Sequence, residues 1–193
     1  LDYLTPRLLE PLGITGATWE QCPKGIDTGG WGLSVRTEDI ANFGVLYLQK
    51  GVWQGKQLLP KGWVEEATRV HISNGDSPDS DWTQGYGFQF WRCRNGAYRG
   101  DGAFGQYCIV LPAQDMVVAI TGGLGDMQAP MNLLWNHLLP ALQENPLPEN
   151  AEGVSALTAK LASLKITTPT GESTSALAGE VSGKTYQFEA NET

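Results

Sequence analysis

Residues 100–123 read GDGAFGQYCIVLPAQDMVVAITGG. The first six, Gly100 to Gly105, match the dinucleotide pattern G-x-G-x-x-G letter for letter. That pattern holds a pyrophosphate only where it leaves a strand and opens a helix, whose N-terminus meets the phosphates. Here it opens onto QYCIVLP, which reads as a strand. The context argues against a dinucleotide site. One remaining reading is a glycine-rich bulge that bends a sheet edge. The better one is a strand edge stripped of side chains, where a substrate lies against the backbone and N–H groups point at it. Half of an oxyanion hole is built in this way.

Working outward, QYCIVLP and MVVAITGG are two strands around a short turn, Ala113 to Asp115. Upstream, GYGFQFWRCR and AYR flank Asn95-Gly96, a pair suited to the two positive φ angles of a type I′ hairpin turn. Before these strands come helices. Thr37 is placed to cap a helix through Gln49, with Glu38 and Asp39 at its positive end and Gly51 to stop it. Pro60 opens a second helix to about Val70, and a last one runs from about Gln128 to Leu142. At the N-terminus Leu1, Leu4, Leu8 and Leu9 share one helical face, ended by Pro11. Helices, then antiparallel strands, then a helix make an α+β pattern, not a repeated βαβ one.

Composition fits a packed domain. The chain has 193 residues, 24 of them Gly and seven Trp, and only 18% are charged. Collagen, coiled coil and wholesale disorder are thereby set aside. Thirteen Lys and Arg against 21 Asp and Glu give a net charge of −8 with no basic run, which speaks against nucleic acid as a partner. No apolar run approaches the ~18 residues of a membrane span. The chain opens Leu-Asp-Tyr, so no signal peptide is visible, and the compartment is left undetermined. All seven Trp, all three Cys and both His precede Gln143. Residues 144–176 read as a linker, rich in Pro and acids and then in Thr and Ser, with a short helix where Val154, Leu157, Leu161 and Leu164 recur at helical spacing. Residues 177–193 alternate near Tyr186 and Phe188, like the first strand of a following β module. Both ends read as cuts through longer sequence.

Other candidates weigh less. Cys22, Cys93 and Cys108 lack metal or redox spacing and read as small apolar residues. His71 and His137 have no second His at ligand spacing. The run DSPDSD, with Asp76, Asp79 and Asp81, lacks the Gly and Glu of a calcium loop and reads as a solvated loop. No metal site is expected. Ser34 sits in GLSVR, which lacks the second Gly of a nucleophile elbow. TGGLGD lacks the Lys of a phosphate loop and reads as a turn. Trp31 and Trp82, both in loops, either wall an apolar cleft or cover a core.

Taken in order, EPLGI, GGWGLSVRTEDIANFGVLYLQKG, LLPKGWVEEAT, YGFQFW and the stretch from Gly100 to Gly123 resemble the C-terminal half of the serine β-lactamase and penicillin-binding-protein-like hydrolases, with the class-C-like esterase and amidase branch nearest. The resemblance spans Asp2 to Leu142. It implies a partial β-lactamase/transpeptidase-like α+β fold over residues 1–143, an antiparallel sheet flanked by helices, and an acyl-serine mechanism without cofactor. The family's third motif, K-T-G or H-x-G on the edge strand, falls on Gly100-Asp101-Gly102, and the residue that follows, Ala103, takes the place that lends a backbone N–H to the oxyanion hole. Gly100, Asp101, Gly102, Gly105 and Trp31 are then the expected substrate-binding residues.

Two departures refine this. No Ser is followed three places later by Lys, and no Tyr two places later by Asn, so the nucleophile, its Lys and the Tyr are expected upstream of Leu1, and this chain alone is expected to be inactive. Gly100 is neither Lys nor His, so the cation that anchors a substrate carboxylate is missing there; among the expected substrates of the parent, an ester, amide or D-amino-acid peptide, esters or amides lacking that carboxylate fit better. Arg92 or Arg99 is a candidate to substitute, although an exposed hairpin Arg is usually only a solvated charge. A non-catalytic binding module built on the same fold is the alternative, and the sheet face left uncovered is a candidate for self-association. The resemblance further suggests a periplasmic or secreted parent.

Overall fold

The computed structural model describes residues 1–189 and divides the chain into two units, Leu1–Leu142 and Gln143–Thr193. The first begins with a helical turn, Thr5–Leu9, followed by β1 (Thr18–Trp19), β2 (Leu33–Ser34), α1 (Thr37–Leu48), β3 (Val52–Trp53), β4 (Lys56–Gln57) and α2 (Trp63–Thr68). Then come β5 (Trp91–Arg92), β6 (Tyr98–Gly102), β7 (Gln106–Leu111), β8 (Met116–Ile120) and α3 (Gln128–Leu133). The last four strands form one antiparallel sheet in the order β5-β6-β7-β8. The architecture is the expected α+β one.

Over β7 the sheet is covered on both faces, unlike the uncovered face expected as a candidate for self-association, and this explains why β7 is apolar from Tyr107 onward. Successive strand residues point to opposite faces. Tyr107, Ile109 and Leu111 pack with Cys93, Ala97, Met131 and Trp135 on the α3 side. Val110 packs with Tyr47, Val64, Phe90 and Tyr98 on the α1 and α2 side. A third cluster, Leu9, Leu12, Ile14 and Leu46, seats the N-terminal turn, with Leu1, Leu4 and Leu8 against it. Helix α1 approaches the sheet through Gly44: a Cβ there would lie 2.5 Å from Val117 Cγ1 and 2.9 Å from Cys108 Sγ.

Several boundaries differ from expectation for local reasons. Thr37 is the first helical residue of α1, not its cap. The turn is closed from Asp39, whose carboxylate accepts from the Arg36 backbone N–H and its guanidinium, both at 3.0 Å. The α1 end is as expected, with the Gly51 N–H reaching back to the Leu46 carbonyl at 2.8 Å. Helix α2 is shorter than expected. Gly62 (φ 78°) delays its start. At the other end the Phe88 N–H takes the Ala67 carbonyl (2.8 Å) and Gly87 backs onto it. The same contact breaks GYGFQFWRCR. The chain turns at Phe88-Gln89, with Gln89 at φ 61° and the Gly87 N–H on the Phe90 carbonyl, leaving β5 two residues long. Asn95 (φ 57°) and Gly96 (φ 72°) make the expected I′ turn. The helical run from Gln128 continues to Ala141, widened over Leu134–Leu138 and tightened over Leu139–Ala141, where Pro140 has no N–H to give.

The second unit holds α4 (Ala151–Ser163) and α5 (Ala178–Val181). Helix α4 starts three residues before the expected apolar repeat because Asn150 Oδ1 accepts from the Gly153 N–H at 2.7 Å. Its stripe of Val154, Leu157 and Leu161 is exposed. The strand expected near Tyr186 and Phe188 is not formed over residues 184–189, and helix α5 precedes them. A strand needs a ladder partner, which that alternation alone does not supply. The rest of the expected segment, residues 190–193, lies outside the described residues. Among the described residues no helix is long and apolar enough to cross a membrane.

Candidate active site

The edge of β6 is where the fold and the sequence motif meet. Strand β5 pairs only with Tyr98 and Arg99. Beyond them Gly100, Asp101 and Gly102 pair with β7 alone, through Cys108, Tyr107 and Gln106. One edge of that segment is therefore unpaired, and it borders a cleft of about 660 Å³. The opposite wall is Gly30, Trp31, Gly32 and Leu33, with Ile40 of α1 between. A Cβ on Gly100 would meet nothing within 4 Å, so the missing side chain leaves that stretch of edge open. Among the described residues no acceptor takes the Ala103 N–H, which follows directly on the open edge and also borders the cleft.

Trp31 is held by its backbone, not its ring. Its carbonyl accepts from Trp19 Nε1 and Thr28 Oγ1, both at 2.6 Å, and its side chain is exposed on the cleft wall. Gly32 (φ 86°) is required beside it, since a Cβ there would lie 2.5 Å from Glu20 Cβ. Gly105 does not line the cleft. It closes the β6–β7 turn at φ 90°, after Phe104 at φ 66°, a left-handed conformation uncommon for an aromatic residue.

Asp101 borders the cleft at its other face. Strand alternation puts its side chain beside Arg99, whose Nε donates to Asp101 Oδ2 at 2.9 Å. Burial pushes the Asp101 carboxyl above its ordinary range, and the Arg99 charge offsets this only in part. Arg99 itself is fully buried, not a hairpin-surface charge. Its Nη1 donates to the Asp81 carbonyl at 2.8 Å, and the guanidinium lies 4.4 Å from the Trp82 ring centre and 5.4 Å from that of Trp91. It cannot reach a substrate. Arg92 is bound to the Thr68 and Gly96 carbonyls and does not line the cleft. Neither arginine supplies the missing cation.

Asp81 corrects a second expectation. Asp76 and Asp79 are exposed, but Asp81 is fully buried. Its carboxylate accepts from the Arg94 backbone and guanidinium, Gln128 Nε2 and Trp135 Nε1 at 2.7–3.0 Å. Burial raises this carboxyl, but the Arg94, Trp135 and Gln128 hydrogen bonds outweigh it and hold it below its ordinary range. Trp82 covers Arg99 and is not a cleft wall. Cys93 and Cys108 are buried, and burial pushes their thiols up to about 11 and about 12, so neither is a nucleophile at neutral pH. Ser34 is exposed on β2, paired with Thr18, and does not line the cleft. His71 stacks on Phe88 at 4.0 Å, and His137 is exposed. Among the described residues no three His, Cys, Asp or Glu side chains gather as metal ligands. Ile40 and Gln106 also line the cleft, and no motif in the sequence marks them. The only signal for Gln106 was its place at the start of a strand, straight after the glycine turn.

An antiparallel sheet between helices, with a glycine-edged strand opening on a cleft, is the arrangement implied by the resemblance to the β-lactamase-type family. Comparison places the chain within it. The profile of the Beta-lactamase family matches residues 1–128, and the chain belongs to that family. A putative 6-aminohexanoate-dimer hydrolase from Bacillus anthracis is similar in structure, with 23% identity and a TM-score of 0.58, over 74% of this chain and 39% of that one. A β-lactamase from Mycobacterium bovis is similar at 21% identity and a TM-score of 0.49, over 70% of this chain and 55% of that one. This chain thus spans about two-fifths and about half of those two proteins. No curated protein matches it.

Proposed function

We propose that this chain is the C-terminal part of a serine hydrolase that cleaves an ester, amide or D-amino-acid peptide through an acyl-serine intermediate. The nucleophile, its Lys and its Tyr lie upstream of Leu1. The observation that carries the reading is the unpaired Ala103 N–H beside the open β6 edge. A tetrahedral intermediate gathers negative charge on the former carbonyl oxygen, and a fixed backbone N–H with no competing acceptor is the donor that such charge needs. Gly100, Asp101 and Gly102 form the edge along which the substrate lies, and Trp31 covers its apolar part. Among the described residues no cationic side chain lines the cleft, which supports an ester or amide substrate lacking the carboxylate that a cation on that edge would anchor.

The test is labelling by a fluorophosphonate and by a penicillin of the protein expressed with the sequence that precedes Leu1, followed by peptide mapping. The expected result is one fluorophosphonate adduct on a serine upstream of Leu1, with slow or no acylation by penicillin. An adduct on a serine of this chain, Ser34 first among them, would overturn the upstream assignment. Absence of any adduct on the folded protein would overturn the serine-hydrolase reading.

A further inference from the structure

We propose that Gln106 is a positioning residue for the oxyanion N–H of Ala103, an inference that rests on the reading of Ala103 above. Three polar contacts of one side chain carry it. Gln106 Nε2 donates to the Gly122 carbonyl (2.5 Å) and to the Ala103 carbonyl (3.2 Å), while Oε1 accepts from the Gly122 N–H at 3.3 Å. The amide thus pairs with both backbone groups of Gly122, beyond the end of β8, and reaches across to hold the residue after the open edge. Two glycines make the room. A Cβ on Gly102 would lie 3.2 Å from Gln106 Cβ and 3.3 Å from its Cγ, so only glycine there lets the Gln106 stem lie against β6 unhindered. A Cβ on Gly122 would lie 3.2 Å from the carbonyl oxygens of Phe104 and Gly105. The Leu124 N–H then takes the Phe104 carbonyl at 2.9 Å.

The consequence falls on one peptide. Gly102 is fixed by its pairing with Gln106, and the Ala103 carbonyl is fixed by the Gln106 amide. The Ala103 N–H lies between these two held points. Phe104 at φ 66° is a conformation that an unrestrained chain leaves readily, because its Cβ crowds the following carbonyl. The clamp keeps the turn there and holds the Ala103 peptide at the border of the cleft before substrate arrives. A donor preorganised in this way needs no reorganisation as charge develops.

Two readouts separate the clamp from the oxyanion assignment. The first is the Ala103 amide in solution NMR of this chain, compared with Gln106→Ala and Gln106→Glu. The expected result is a shifted, broadened or faster-exchanging Ala103 amide in Gln106→Ala, with other sheet amides unmoved. In Gln106→Glu the ionised carboxylate has no donor for Gly122 or Ala103; protonation returns one, so the Ala103 signal moves back toward its native position as pH falls through the carboxyl range. The second is hydrolysis of p-nitrophenyl butyrate by the protein carrying its upstream sequence, with kcat about 10- to 100-fold lower in Gln106→Ala and KM within about 2-fold. An unmoved Ala103 amide in folded Gln106→Ala overturns the clamp. A moved amide with unchanged kcat overturns the role of Ala103 instead. If Gln106→Ala does not fold, Gln106→Glu read above and below the carboxyl range decides, an amide indifferent to pH being the negative result.

Discussion

Asp81 and Asp101 show how two carboxylates, one held by Arg94 and the other by Arg99, acquire opposite pH behaviour. Asp81 is held below its ordinary value by hydrogen bonds from Arg94, Trp135 and Gln128. A depressed carboxyl adds stability that is present above the unfolded value, about 3.9, and is lost as pH falls through the folded value. Asp101 is raised by burial. Its contribution is fully present below the unfolded value and is lost as pH rises through the folded one. In urea unfolding at a series of pH values, Asp81→Asn therefore flattens the acid-side loss of stability, whereas Asp101→Asn removes a loss that sets in on the way up. Asp81→Ala, which also strands the Arg94 guanidinium and the Trp135 N–H, costs about 3–5 kcal/mol at neutral pH. Gly100 offers a gain of function at the same scale. With nothing within 4 Å of its Cβ position, Gly100→Lys is accommodated with little change in melting temperature. It places a cation beside the cleft, so in the protein carrying its upstream sequence, acylation by penicillin, whose thiazolidine ring bears a carboxylate on the side of the leaving nitrogen, becomes faster relative to a neutral ester. Equal ratios in the two proteins would show that the edge is not read by the substrate.

At the scale of elements, helix α1 depends on one missing methyl group. Gly in mid-helix costs about 1 kcal/mol relative to Ala, so propensity alone makes Gly44→Ala stabilising. The 2.5 Å approach to Val117 Cγ1 reverses that sign. The expected outcome is a loss of about 1–3 kcal/mol by thermal unfolding, recovered in part by adding Val117→Ala. Such contacts also explain which elements were legible. The strands β7 and β8, the I′ turn at Asn95-Gly96 and the stop at Gly51 are set by neighbours in sequence, through alternation, φ preference and capping, and they lie where the pattern puts them. The early end of α2 and the bend at Phe88 arise from one contact between segments twenty residues apart, which no local pattern encodes. Thr37 was misplaced by one position because Arg36 closes its turn through Asp39, whereas capping preferences favour the hydroxyl.

Across the first unit, burial and pairing grade from the centre of the sheet to the cleft. The β7 strand has neighbours on both sides and helices on both faces, while the outer edge of Gly100–Gly102 has neither partner nor side chain. Hydrogen exchange should follow that gradient, slowest at Ile109 and Val110 and fast at the outward amides from Gly100 to Ala103. Uniform protection along β6 would mean that its edge is covered in solution. What the sequence by itself determined is the α+β class, the family and the stretch that borders the cleft. Each is carried by residues adjacent in the chain, through periodicity, turn chemistry and the order of short motifs. Only the tertiary structure decided that Arg99 and Asp81 are buried, that Trp31 and not Trp82 walls the cleft, and that Gln106 holds the turn after Gly102. Burial of a charge depends on partners brought from distant segments, here Asp81, Arg94, Gln128 and Trp135, and residue type alone predicts a solvated surface for each of those charges.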